Sequence, residues 1–174
     1  MLTIAACART EAGSPVTANG GTPSSDATMS FENARDLAAV ADDPCALLTP
    51  QQLEAISPGL QTSTEGTPWG QTDCSWENDE LSFNVAPDTL TGQTIERLRE
   101  FPELVPVEVA GGYPGAEEPA TDDSVCGLYV AVDESEILIL SFFRRSSEHP
   151  EHKMPCEFLK SITAMMVENI PPKS

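Results

Sequence analysis

The chain has 174 residues, 40% of them apolar, which is room for one packed domain of ordinary size and a tail. It carries 28 Asp and Glu against 9 Lys and Arg, a net charge of −19. That excess repels nucleic-acid phosphates and anionic lipid head groups, which excludes both as electrostatic partners. No run reaches the roughly 20 apolar residues of a membrane-spanning helix.

The N-terminal residues 1–7 end in Ile4-Ala5-Ala6-Cys7. An aliphatic residue and small residues directly before a cysteine form the pattern of a bacterial lipobox. Small side chains fit the signal peptidase, and the cysteine thiol is the point of acylation. Only Leu2–Ala6 stand before the cysteine, short of the about 7–15 apolar residues that a secretion signal needs. The expectation is therefore a start further upstream or a trimmed signal. Residues 8–30 are rich in Ala, Gly, Ser, Thr and Pro and show no apolar periodicity. They cannot bury enough surface to offset their conformational entropy, so a disordered tether is expected, spanning on the order of 25–30 Å. Cys7 is thus read as a lipidation site that leashes residues 31–174, a single domain, to the extracytoplasmic face of the cell membrane.

Within that domain, Thr49 caps a helix that Pro50 starts, and Gln52 completes a capping box. Leu53, Ile56 and Leu60 give its apolar face, and Pro58-Gly59 ends it. QTSTEGTPWGQ reads as a polar loop. TDCSWEN follows with Cys74 and Trp76 on one face, and a turn at Asn78–Glu80 leads into LSFNVAP, where Leu81, Phe83 and Val85 alternate with polar residues. Two alternating runs about a short turn predict a β-hairpin. TIERLREF is a short helix with Ile95, Leu98 and Phe101 on one side. VPVEV alternates, and Pro106 pushes that strand to a sheet edge. GGYPG reads as a hairpin turn between strands. VCGLYVAV places Cys126, Leu128, Val130 and Val132 on one face, and ILILSFFRR, apolar on both faces, is expected at the centre of the sheet. PCEFLKSITAMMVEN is the longest helix, with Phe158, Ile162, Met165 and Met166 facing inward. The pattern predicts an α+β fold: an antiparallel sheet of about five strands with helices packed on one side.

The sequence order DPCALLT, CSWEN, GGYPG, a strand-borne Cys126 and PCEFLKSI resembles the actinobacterial lipoproteins grouped as domain of unknown function 3558. The likeness spans nearly all of Asp42–Pro171 together with the lipobox. It implies a lipid-anchored envelope protein with a small disulfide-bonded α+β domain, and it brings no catalytic residues. One departure stands out: Met154-Pro155 precedes Cys156 where the family often has Asp-Pro, which loses a helix cap.

Cys45, Cys74, Cys126 and Cys156 contain no CxxC and no Cys/His pair at zinc-finger spacing, so they read as two disulfides in an oxidising compartment. Four cysteines allow three pairings. The strand carrying Cys126 starts beside Arg144, the end of its expected neighbour, and a short loop from there reaches the helix that carries Cys156. The loop after Pro58 likewise returns the chain from Cys45 to Cys74. Cys45–Cys74 with Cys126–Cys156 is therefore predicted, and the rival is Cys45–Cys156 with Cys74–Cys126.

Chemistry is sparse. There is no G-x-S-x-G elbow and no phosphate-cradling loop. His149 and His152, flanked by Glu148 and Glu151, lack a third ligand placed by spacing, so a solvated loop is expected and no metal or cofactor is assigned. Acid pairs such as Asp122-Asp123 and Glu117-Glu118 read as solvated loop acids. Trp76 and Tyr129 are sheet aromatics that either line a ligand cleft or pack beneath a helix, and Trp76, on the face of Cys74, reads as core. Loop aromatics are common recognition groups, so Trp69 and Tyr113, in Gly66–Gly70 and GGYPG, are the candidate binding surface. The expected role is a monomeric, non-catalytic module that binds an envelope ligand or partner protein. The alternative is a secreted hydrolase or metal-dependent enzyme without a recognisable motif.

Overall fold

The computed structural model describes residues 31–174 apart from 32, 110, 120 and 121. Cys7 and the tether at 8–30 lie outside the described residues. Seven strands form one antiparallel sheet: β1 (Gln61–Gly66), β2 (Thr72–Glu77), β3 (Leu81–Asp88), β4 (Val105–Val109), β5 (Tyr113–Glu118), β6 (Val125–Ala131) and β7 (Ile137–Arg144), in the order β1-β2-β3-β7-β6-β5-β4. Strand β7 is central, because ILIL is apolar on both faces and needs cover on both. Strand β4 is terminal, as Pro106 requires, since proline gives no N–H to a ladder.

Two of the seven strands exceed the five expected, and each hides for a physical reason. QTSTEG has no apolar residue, and as β1 all six residues are exposed, so alternation cannot reveal it. YPGAEE looks like a turn followed by acids, yet β5 buries Gly115 and Ala116 because its neighbours leave no room for larger groups. A Cβ added at Gly115 would lie 2.8 Å from the Tyr129 carbonyl oxygen.

Helix α1 (Pro50–Ile56) has the expected capping box between Thr49 and Gln52. Helix α3 (Pro155–Asn169) crosses β6 and β7, and its first turn has no side-chain cap at Met154. Phe158, Leu159, Ile162, Met166 and Val167 of α3 share one core with Trp76, Phe83, Leu128, Val130, Leu138, Leu140 and Phe142. Trp76 is fully buried and stacks on Phe83, ring centroids 5.1 Å apart, in line with its reading as core. Both disulfides lie on this face, paired Cys45–Cys74 and Cys126–Cys156 as predicted. In the chain-entropy model a loop of about 30 residues makes each worth roughly 3–4 kcal/mol.

The helices are not all on one side. Helix α2 (Ile95–Arg99) lies on the opposite face, where Ile95 and Leu98 pack with Ala116, Ala131 and Ile137 in a second, smaller core that Tyr129 and Ile139 extend. The cause is the outward row Tyr129, Ala131, Ile137 and Ile139, too apolar to face water. Phe101, expected on the buried side of α2, follows the helix and is exposed.

Candidate functional site

Helix α2 covers only one end of this second face. Over the rest, the outward side chains of the central strands include the small polar Ser75, Ser82, Asn84 and Ser141 and, at the far end of β7, the exposed Phe143. The Asn84 carboxamide oxygen accepts from the Ser141 amide (3.1 Å) and hydroxyl (2.5 Å), which flattens the floor. One wall is the tip of the β1–β2 hairpin. Gly70, at φ +90°, turns the chain there as L side chains rarely can. The Trp69 indole N–H donates to the Pro87 carbonyl (3.4 Å), and the Gln71 carboxamide exchanges two hydrogen bonds with Thr89, so the tip is tied to the end of β3.

The other wall is Tyr129 with Glu118. The phenol donates to the Glu118 carboxylate at 2.8 Å. Burial, then the hydrogen bond and charge of Glu118, push the phenol up to about 12. Gly127 makes room for that carboxylate: a Cβ there would lie 2.6 Å from Glu118 Oε2. Between the walls is a groove of about 380 Å³ whose lining includes Trp69, Tyr129, Asn84 and Ser141. Its ionisable side chains are Tyr129 and the acids Glu65, Asp73 and Glu118, with no basic group among the described lining residues. Asp73 accepts from the Glu65 amide at 2.8 Å. The groove thus presents aromatic and acidic side chains together.

Trp69 and Tyr113 do not form one surface. The β1–β2 hairpin and the β4–β5 hairpin stand at opposite edges of the sheet. Tyr113 is also buried rather than displayed on a loop: it begins β5, and the turn before it is carried by Gly111 and Gly112. Its hydroxyl donates to the Asn33 carbonyl (2.7 Å) and accepts from Arg35 Nε (2.9 Å), while Arg35 Nη1 donates to the Ile170 carbonyl. Tyr113 therefore locks the entering chain to the exit of α3. A larger hollow, about 730 Å³, opens beside it between Phe31, Arg99 and the β4–β5 hairpin.

The histidine segment also departs from a solvated loop. Pro150–Lys153 is a 3-10 turn, and His152 is buried. Its ring lies against Phe158 (centroids 4.5 Å) and Phe142 (6.4 Å), and Nδ1 is 2.5 Å from the buried Ser147 hydroxyl. Burial, followed by the nearby charge of His149, holds its pKa below the ordinary histidine range. This Ser–His pair is sealed beneath two phenylalanines, so it serves packing. The sequence signal was present in the proline turn and the following Cys156, but charge on both sides of His152 masked it. One cluster with metal-ligand atoms forms among the described residues, Glu117 with Cys126 and Cys156. Its sulfurs are spent in the disulfide, and Glu117 pairs with Lys160 at 2.8 Å.

A family model described as "Protein of unknown function (DUF3558)" matches residues 2–169, and the chain belongs to that family. No curated protein and no solved structure matches the chain.

Proposed function

We propose, with that membership as premise, that the chain is a lipid-anchored extracytoplasmic envelope protein that works as a non-catalytic binding module. The observation that carries the reading is the groove on the half-open sheet face. It places Trp69 and Tyr129 on a scaffold held rigid by two disulfides from the other side. Each groove wall is fixed by its own hydrogen bonds, which limits the ordering cost of binding. Its side chains suit recognition better than turnover: Glu118 is engaged by Tyr129, and Asp73 by a backbone amide. Ile4-Ala5-Ala6-Cys7 supports the anchor. Among the described residues no helix is long and apolar enough to cross a membrane.

The anchor is tested in cells with the chain behind a complete signal. Cys7→Ser is expected to abolish labelled-palmitate uptake and to move the protein from the membrane to the soluble fraction. A variant that stays membrane-bound and labelled contradicts the proposal. The purified domain is expected to turn over no generic esterase, protease, glycosidase or phosphatase substrate.

A further inference from the structure

The two edges of the sheet are finished differently. At one end β4 carries Pro106, which removes a donor, and Glu108, and it sits near α3. At the other end β1 pairs with β2 alone, and it contains no proline and no lysine. Exposed edges are templates for further strands, and proteins blunt them with such residues. The β1 edge has no proline to remove a donor, Glu65 is its single charged residue, and all six of its residues are exposed.

The register shows which groups it offers. The Thr67 amide donates to the Gln71 carbonyl at 2.7 Å and closes the hairpin. Counting back in twos along an antiparallel ladder, Glu65, Ser63 and Gln61 bond toward β2. Thr62 and Thr64 then aim their N–H and C=O groups away from the sheet. Their side chains lie on the side of their partners Trp76 and Cys74, while Glu65 shares the groove side with Asp73.

We propose that the β1 edge is a strand-addition site for an extended segment of another protein, one with Lys or Arg at alternate positions facing the groove side. The inference rests on the binding-module reading and names the partner. Main-chain bonds to Thr62 and Thr64 supply affinity, as in other β-augmented complexes, and alternate side chains supply selectivity. Charge decides the occupant. An added strand sets its alternate residues on the groove side against Gln61, Ser63 and Glu65, so one of them meets the Glu65–Asp73 pair, and Glu118 extends the acidic lining across the groove. A second copy would bring another chain of net charge −19 with its own Glu65 to the same edge. A basic segment meets the opposite sign.

The test uses the purified protein and two synthetic peptides of roughly strand length, one alternating Lys with Thr or Val and one alternating Glu with Thr or Val. The lysine peptide is expected to slow hydrogen exchange at the Thr62 and Thr64 amides at least tenfold, with affinity that falls as salt rises. Thr64→Pro removes an outward N–H and is expected to weaken binding at least tenfold while thermal stability changes by only a few degrees. Thr62→Pro serves if that variant folds poorly. Equal binding of the glutamate peptide overturns the charge assignment, and unchanged binding to a folded proline variant overturns the edge. Self-association that protects the same amides in place of peptide binding also overturns the proposal. Peptide-induced shifts at Trp69 and Tyr129 without protection of Thr62 and Thr64 sink the edge and leave the binding module standing. No response at either place sinks both.

Discussion

Consecutive residues in β7, Phe142 and Phe143, show how unlike the two faces of this sheet are. Phe142 is buried between Phe158 and His152 under α3, whereas Phe143 is 46% exposed on the face that α2 leaves open. One face carries the long helix, both disulfides and the main core. The other carries five residues of helix at one end and a groove at the other. Rigidity and accessibility are separated by the thickness of one sheet, an arrangement in keeping with the proposed binding role.

The comparison breaks most readily at that pair. Phe142→Ala is expected to cost about 3–5 kcal/mol by chemical denaturation, and Phe143→Ala about 0.5 kcal/mol or less. Equal costs would mean the faces are not distinct. The disulfides come next. Cys126→Ser with Cys156→Ser is expected to lose roughly 3–4 kcal/mol, and non-reducing peptide mapping of the unmodified protein should join the Cys126 and Cys156 segments.

His152 sharpens the covered face through pH. Its folded pKa lies below the ordinary 6.5, so between the two values the unfolded chain binds the extra proton. Stability from this group is complete above about pH 6.5 and is lost as pH falls toward the folded value. The groups that set the shift besides burial are His149 and Arg144, which lower it, and Glu80 and Glu151, which oppose them. His152→Gln should flatten that part of the stability profile relative to the parent. An unchanged difference between pH 7 and pH 5 would remove His152 from the core account.

The smallest effect is on the open face. Gly127→Ala pushes the flexible Glu118 carboxylate aside, so stability should change by less than about 1 kcal/mol. The Tyr129 phenol then loses its partner, and its ultraviolet titration should fall from about 12 part of the way toward 10, since burial remains the larger cause. A titration that does not move means that Glu118 is not held over Gly127.

The sequence was readable where alternation or capping chemistry had one meaning. The Thr49 capping box, the proline-started α3, central β7 and edge β4 follow from local rules, and so do the disulfide pairs. Strand β1 has no apolar residue and β5 has small ones, so neither shows a period. The two-faced apolar run Ile137–Leu140 held the clue that a helix must cover the second face, since Ile137 and Ile139 cannot stay in water. Of the candidate site, Trp69 was legible as a loop aromatic. Tyr113 looked equivalent, yet its partners Asn33 and Arg35 lie some 80 residues away in sequence. Tyr129, Glu118 and Gly127 become a wall only once β5 is seen to pair with β6.

The open face as the binding surface is the central claim, and site-specific photo-crosslinking tests it in the envelope of living cells. A benzophenone amino acid at Trp69 probes the groove, and the same group at Ser161, exposed on the outer side of α3, probes the covered face. The account predicts a discrete adduct at Trp69, identified by mass spectrometry, and none at Ser161. An adduct at Ser161 with none at Trp69 would contradict it.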